Sequence, residues 1–207
     1  MENKRLAPWN QLLLTVRRTG RVLRSTKLAP LARSRPALWV WRKILAPGVA
    51  EVHGLLDEFG NAGIPVWLAG GWGVDALLGH PTRRHDDIDL VIPKGFEAES
   101  ASLLTGRGYH VINEEVRTIW FPHRMTWRDT IGRSIDLLPV PITDEREPVS
   151  CTADSFTTGK LGGRALACLS AEMQLELHRG YKVRDVDRVD VASLCRLVGQ
   201  PVPAELQ

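Results

Sequence analysis

Two adjacent glycines, Gly70 and Gly71, stand directly after the short apolar run Pro65 to Ala69 and directly before Trp72 to Leu78, a helical stretch that ends at Gly79. Glycines at a strand-to-helix junction let backbone N–H groups approach phosphate oxygens closely, and the helix N-terminus adds a favourable partial charge. Some 16 residues after Gly71 comes Asp87-Ile88-Asp89, which opens the apolar run Leu90-Val91-Ile92 closed by Pro93. Strand side chains alternate between faces, so Asp87 and Asp89 share one. Two carboxylates side by side repel and raise each other's pKa unless a cation sits between them. An unpaired charge pair at the end of an apolar strand is also costly. A divalent metal resolves both problems. Hard oxygen ligands select Mg²⁺ or Mn²⁺, and Mg²⁺ typically uses one or two carboxylates plus substrate phosphates. Asp136 lies inside a second apolar run, Ile135 to Leu138, and is the natural third ligand: if its strand neighbours that of Asp87, three carboxylates converge. A phosphate cradle, a metal-binding pair and a third acid are the parts of nucleotidyl transfer.

The surrounding pattern predicts a mixed fold. Val49 to Phe59 has helical spacing, Phe96 to Thr105 reads as a helix, and Tyr109 to Asn113 as a strand. Further strands are expected at about 117–121 and 124–129, then a turn at Thr130 to Gly132 and a returning strand Ser134 to Leu138. Pro139, Pro141 and the acidic stretch Thr143 to Glu147 read as a surface loop. One or two short strands follow within about 153–168, then helices at about 170–179 and 184–198. The order is not a strict βαβ alternation. It predicts an α/β (α+β) class: a small mixed sheet flanked by helices, with a C-terminal helical part.

Charge divides the chain. Residues 1–47 hold eleven Lys or Arg and one acid, Glu2, a net of +10, while the remainder carries a net of −7. The expected organisation is a basic extension over 1–47, a folded domain over 48–198 and a tail over 199–207. A short basic amphipathic helix is plausible over about 9–26, as an attachment to nucleic acid or anionic lipid, or as a solvated extension. With 43% hydrophobic and 25% charged residues, the composition excludes a wholly disordered chain, a collagen-like repeat and a coiled coil. No apolar run approaches the roughly 18 residues of a spanning helix. Cys151, Cys168 and Cys195 are widely spaced, with no zinc pattern. They read as reduced thiols of a cytoplasmic protein.

The run Leu68-Ala69-Gly70-Gly71-Trp72-Gly73-Val74-Asp75-Ala76-Leu77-Leu78-Gly79, followed by Thr82-Arg83-Arg84-His85-Asp86-Asp87-Ile88-Asp89-Leu90, resembles the signature of aminoglycoside 2''-adenylyltransferases and lincosamide nucleotidyltransferases. These belong to the DNA polymerase β-like nucleotidyltransferase superfamily. The resemblance continues more loosely through Asp136, Gly159 to Arg164, His178 to Tyr181 and the helix of Asp185, Asp187 and Asp190, and covers roughly 49–198. Residues 1–47 lie outside it.

The resemblance implies that Asp87, Asp89 and Asp136 are the catalytic carboxylates. Asp87 and Asp89 would hold the metal, and Asp136 would complete its site or act as base. Gly70 and Gly71 would cradle the triphosphate of ATP or another nucleotide, with a small-molecule hydroxyl as acceptor. Arg84 and His85 are placed to touch phosphate or to pair with Asp86, and Lys160, in a glycine-rich turn, to reach a phosphate. Asp75, one turn into its helix, is expected to pair with Arg83. Trp72, His178 and Tyr181 read as packing.

Overall fold

The computed structural model describes residues 46–115, 123–144, 150–179, 181 and 183–206. The expected leader helix and the strand at 117–121 lie outside these residues. Contacts divide the chain after Leu45, and Ala46–Gln207 forms a compact unit by itself.

Its elements in chain order are α1 (Val49–Asn61), β1 (Trp67–Ala69), α2 (Gly70–Leu78), β2 (Asp87–Pro93), α3 (Glu97–Gly106), β3 (Tyr109–Glu115), β4 (Arg124–Asp129), β5 (Ser134–Val140), β6 (Phe156–Leu161), β7 (Arg164–Leu169), α4 (Ala171–Leu177) and α5 (Asp185–Val198). The strands form one seven-stranded mixed sheet in the order β3-β4-β5-β2-β1-β7-β6. β2 runs parallel to β5 and antiparallel to β1, and β1 runs parallel to β7. This is the mixed α+β architecture expected.

Alternation along β2 and β5 sorts the chemistry. Ile88, Leu90, Ile92, Ile135 and Leu137 turn to one face, where they pack with Val52, Leu55 and Phe59 of α1 and Leu104 of α3. Each such buried side chain stabilises the fold by about 1.5–3 kcal/mol. A one-residue slip would expose the whole set, so this face fixes the register. The other face carries Asp87 and Asp89, then Val91 packed with Ala69, Leu138, Val140 and, from α4, Met173. A third cluster joins α2, α4 and α5 through Val74, Leu175, Val191 and Leu194. Leu206, from the segment after α5, is buried in that cluster.

Two boundaries differ from expectation. The second helix begins at Gly70 rather than Trp72, so both glycines enter its first turn. Pro139 lies within β5, not in a loop. It sits beyond Met125↔Leu137, the last register pair between β4 and β5, so its missing N–H costs no hydrogen bond to β4.

Candidate active site

The register brings the three predicted aspartates together. In the β2–β5 ladder Asp89 stands directly opposite Asp136, and in the β1–β2 ladder Ala69, the residue before the glycine pair, stands opposite Asp89. The bend and the carboxylates therefore share one end and one face of the sheet. Gly70 is in the left-handed region at φ 56°. A methyl group there would overlap the Asp89 carboxylate, which fills the space beside its Cα. A methyl group on Gly71 would collide with His85 and lie 2.6 Å from Arg83 Nη2.

The electrostatics around the trio are unbalanced. Burial and the Asp136 carboxylate push Asp87 above the usual carboxylate range, while the charges of Arg124 and Arg184 pull it back. Asp136 is 1% exposed. Its Oδ2 accepts from Arg124 Nη2 on β4, and its Oδ1 has no hydrogen-bond partner among the described residues. A buried carboxylate oxygen without a donor is costly. The orphaned oxygen and the oxygen-only donor set fit a hard divalent cation. No three Asp, Glu, His or Cys side chains among the described residues already stand as a cage.

The loop before β2 is pinned from two sides, and not as expected. Asp75, with no exposed surface, pairs with His85 rather than Arg83: His85 Nε2 lies 2.5 Å from Asp75 Oδ2. Asp75 Oδ1 also accepts from the backbone N–H and the hydroxyl of Thr82 at 2.9 and 2.6 Å. Burial acts to raise the Asp75 pKa, but the His85 and Thr82 bonds outweigh it and hold the group below the usual range. The His85 ring lies 4.5 Å from that of Trp72 and is buried. The partner of His85 Nε2 is thus Asp75. Arg83 instead reaches α5, where its Nε and Nη2 bond both oxygens of buried Asp190 at 3.2 and 2.6 Å.

Two other candidates are placed differently from the carboxylates. Arg84 is exposed on the loop, and it is Arg83 that lies against Gly71. Lys160 is exposed within β6, the edge strand, three strands from β2, so it sits in no turn. It pairs with Ala165 near the start of β7, whereas Cys168, near the end of β7, is level with Leu68 of β1. Lys160 is therefore at the opposite end of the sheet from the aspartates. Sequence reasoning missed Arg124, the Arg83–Asp190 pair and the Asp75–His85 pair. The only sequence signal for Arg124 was its place in a strand expected beside that of Asp136.

Comparison with known proteins bears on the same residues. Residues 51–194 match the family described as aminoglycoside-2''-adenylyltransferase. The chain is 28% identical over 153 residues to a lincosamide resistance protein of Staphylococcus haemolyticus, covering 70% of this chain and 92% of that protein. It is 38% identical over 66 residues to a 2''-aminoglycoside nucleotidyltransferase of Escherichia coli, covering 32% of this chain and 37% of that protein. Among solved structures, the lincomycin-bound lincosamide antibiotic adenylyltransferase LnuA aligns with a TM-score of 0.61 at 28% identity, over 73% of this chain and 99% of that one. No helix among the described residues is long and apolar enough to cross a membrane. The strand, glycine bend and aspartate ladder thus lie within a match that spans most of the chain, and the chain belongs to the aminoglycoside-2''-adenylyltransferase family of nucleotidyltransferases.

Proposed function

We propose that the protein transfers a nucleoside monophosphate, AMP from ATP, onto a hydroxyl of a small antibiotic-like molecule and releases pyrophosphate. The observation that carries this reading is the register pair Asp89↔Asp136 together with the unpartnered Asp136 Oδ1. Asp87 and Asp89 would hold Mg²⁺ or Mn²⁺, which leaves Asp136 Oδ1 as the base. When bound, the ion neutralises phosphate charge and aligns the reacting oxygens. The N–H groups at the start of α2 receive phosphate oxygens at the Gly70-Gly71 bend. His85, steadied by Asp75, borders that bend. The acceptor oxygen bonds to the α-phosphorus, and the bond from that phosphorus to the bridging oxygen breaks. Asp136 Oδ1 takes the hydroxyl proton.

The acceptor assignment leans on charge and on the relatives. Residues 48–207 carry a net of −7. A cavity of about 510 Å³ is lined by Asp144, Asp154, Glu172, Ser155, Ser170 and Met173. Met173 packs in one cluster with Ala69, the ladder partner of Asp89. Carboxylates and hydroxyls in such a cavity suit a cationic, hydroxyl-rich acceptor such as an aminoglycoside.

The test is a pyrophosphate-release screen of ATP, GTP, CTP and UTP against pooled aminoglycosides, lincosamides and RNA. Release with ATP and a small-molecule pool, lost in a folded Asp87→Ala protein, is the expected result. Release with RNA alone, abolished by deleting residues 1–47, would move the acceptor to nucleic acid and make the basic extension its docking arm. Undiminished release by Asp87→Ala overturns the site.

A further inference from the structure

We infer that Arg83 is a triphosphate-binding residue and that Asp190, on the C-terminal helix α5, is its positioning residue. The inference rests on the reading that the Gly70-Gly71 bend receives the nucleotide phosphates.

Arg83 carries five N–H donors. Among the described residues three are engaged: Nε and one Nη2 hydrogen by Asp190, and one Nη1 hydrogen by the Arg84 carbonyl at 3.2 Å. Two N–H groups remain on a guanidinium whose side chain is 25% exposed. Its Nη2 lies against Gly71, so close that a methyl group there would stand 2.6 Å away. Gly71, lacking a side chain, leaves room there for both the His85 ring and this cation. The charges of Asp75 and Asp87 add attraction.

Asp190 explains why the guanidinium stays there. It is 2% exposed and separated from Arg83 by 107 residues of chain. Its two-point grip fixes the plane of the fork, and a fixed fork loses little freedom on meeting a phosphate. Val191, next to Asp190, is buried in the cluster that holds α5 against α2. The C-terminal helix therefore takes part in nucleotide binding through one ion pair, in addition to covering the core.

The alternative is a strut that holds the loop and touches no substrate. The two differ across three variants: Arg83→Gln, Asp190→Asn and the double variant. Arg83→Gln leaves buried Asp190 without its counter-charge, Asp190→Asn leaves the partly buried Arg83 without its own, and the double change removes both charges together. Thermal midpoints should therefore fall in the singles and recover in the double. Binding is measured by calorimetry with Mg·ATP and, to isolate the phosphates, with inorganic tripolyphosphate. For both probes Arg83→Gln and the double variant should bind about tenfold or more weakly, the scale of one charge-assisted bond. Asp190→Asn, which keeps the cation but not its grip, should fall between these and the native chain. The KM for the acceptor should stay unchanged. Affinity that recovers with stability in the double variant overturns the inference, as does native-like affinity in Arg83→Gln. If the double variant fails to fold, Asp190→Asn decides: tripolyphosphate should raise its thermal midpoint less than that of the native chain, and an equal rise overturns the inference. A native chain that binds neither probe defeats the underlying reading instead.

Discussion

Asp129 and Asp136 stand on adjacent strands, are 6% and 1% exposed, and have opposite surroundings. Asp129 Oδ1 accepts the backbone N–H groups of Ile131, Gly132 and Arg133 at 3.0, 2.8 and 2.9 Å. Its Oδ2 takes Arg133 Nε at 2.7 Å. Both oxygens have donors, and the aspartate closes the β4–β5 turn. Asp136 has one oxygen on Arg124 and one with no donor among the described residues. One buried carboxylate is thus fully engaged in the fold, while another seven residues later keeps an oxygen open, and the proposed chemistry uses that oxygen.

The largest expected effect tests that contrast on the side of activity. Asp136→Asn and Asp87→Ala should each lower pyrophosphate release by roughly 10³-fold or more. The thermal midpoint of Asp87→Ala should hold or rise because carboxylate repulsion is relieved, whereas that of Asp136→Asn should fall because Arg124 loses its counter-charge. Turnover near the native level in either protein, shown to be folded, contradicts the assignment.

Gly70→Ala attacks both partners of the ladder at once. It forces a side chain into a left-handed position, at about 1–2 kcal/mol, and drives the Asp89 carboxylate out of its place. Steady-state kinetics should show loss of turnover, and thermal melting only a moderate drop. Full activity in this variant would mean that the Asp89 position is irrelevant.

Asp129→Ala should behave in the reverse way. Stability should fall by about 3 kcal/mol, since three N–H groups and the Arg133 cation lose their acceptor. The kcat of the fraction still folded should match the native value. Chemical denaturation and active-fraction kinetics on one preparation separate the two quantities.

The smallest effect is in pH. The folded pKa of Asp87 is raised, by burial and by Asp136. Its contribution is therefore present below the unfolded value of 3.8 and is lost as pH rises through the folded value. In EDTA the stability advantage of Asp87→Asn over the native chain should widen from acid toward neutral pH. Asp75 is lowered by its His85 and Thr82 bonds against an opposing burial effect. The stability it supplies is present above 3.8 and lost as pH falls through its lowered value, so the harm done by Asp75→Asn should fade in acid. Parallel melting curves for all three proteins at every pH would remove this distinction.

Much of this site is legible in the primary structure, for a physical reason. A period of two puts Asp87 and Asp89 on one face, and the charge inside Ile135-Asp136-Leu137-Leu138 stands out from its apolar run, which draws attention to the residue that the register sets beside Asp89. The strands are bounded by glycine and proline, so their order reads off well. What stays hidden depends on distance along the chain. Arg83 and Asp190 meet across 107 positions, and no local rule pairs them. For Asp75 the sequence offers Arg83 and His85 within ten positions, and only the path of the loop decides for His85. Lys160 was misread because the hairpin turn is Gly162-Gly163, two residues later, where both glycines have positive φ. Pro139 was misread because proline signals an end to pairing, while only the β4 side of β5 had run out of partners.

The fit of the Asp89 carboxylate against Gly70 also limits how such a protein can diverge. A larger residue at position 70 needs a shorter one at position 89, because the Asp89 carboxylate already fills that space. The two positions are therefore coupled by volume, and a change at either constrains the other.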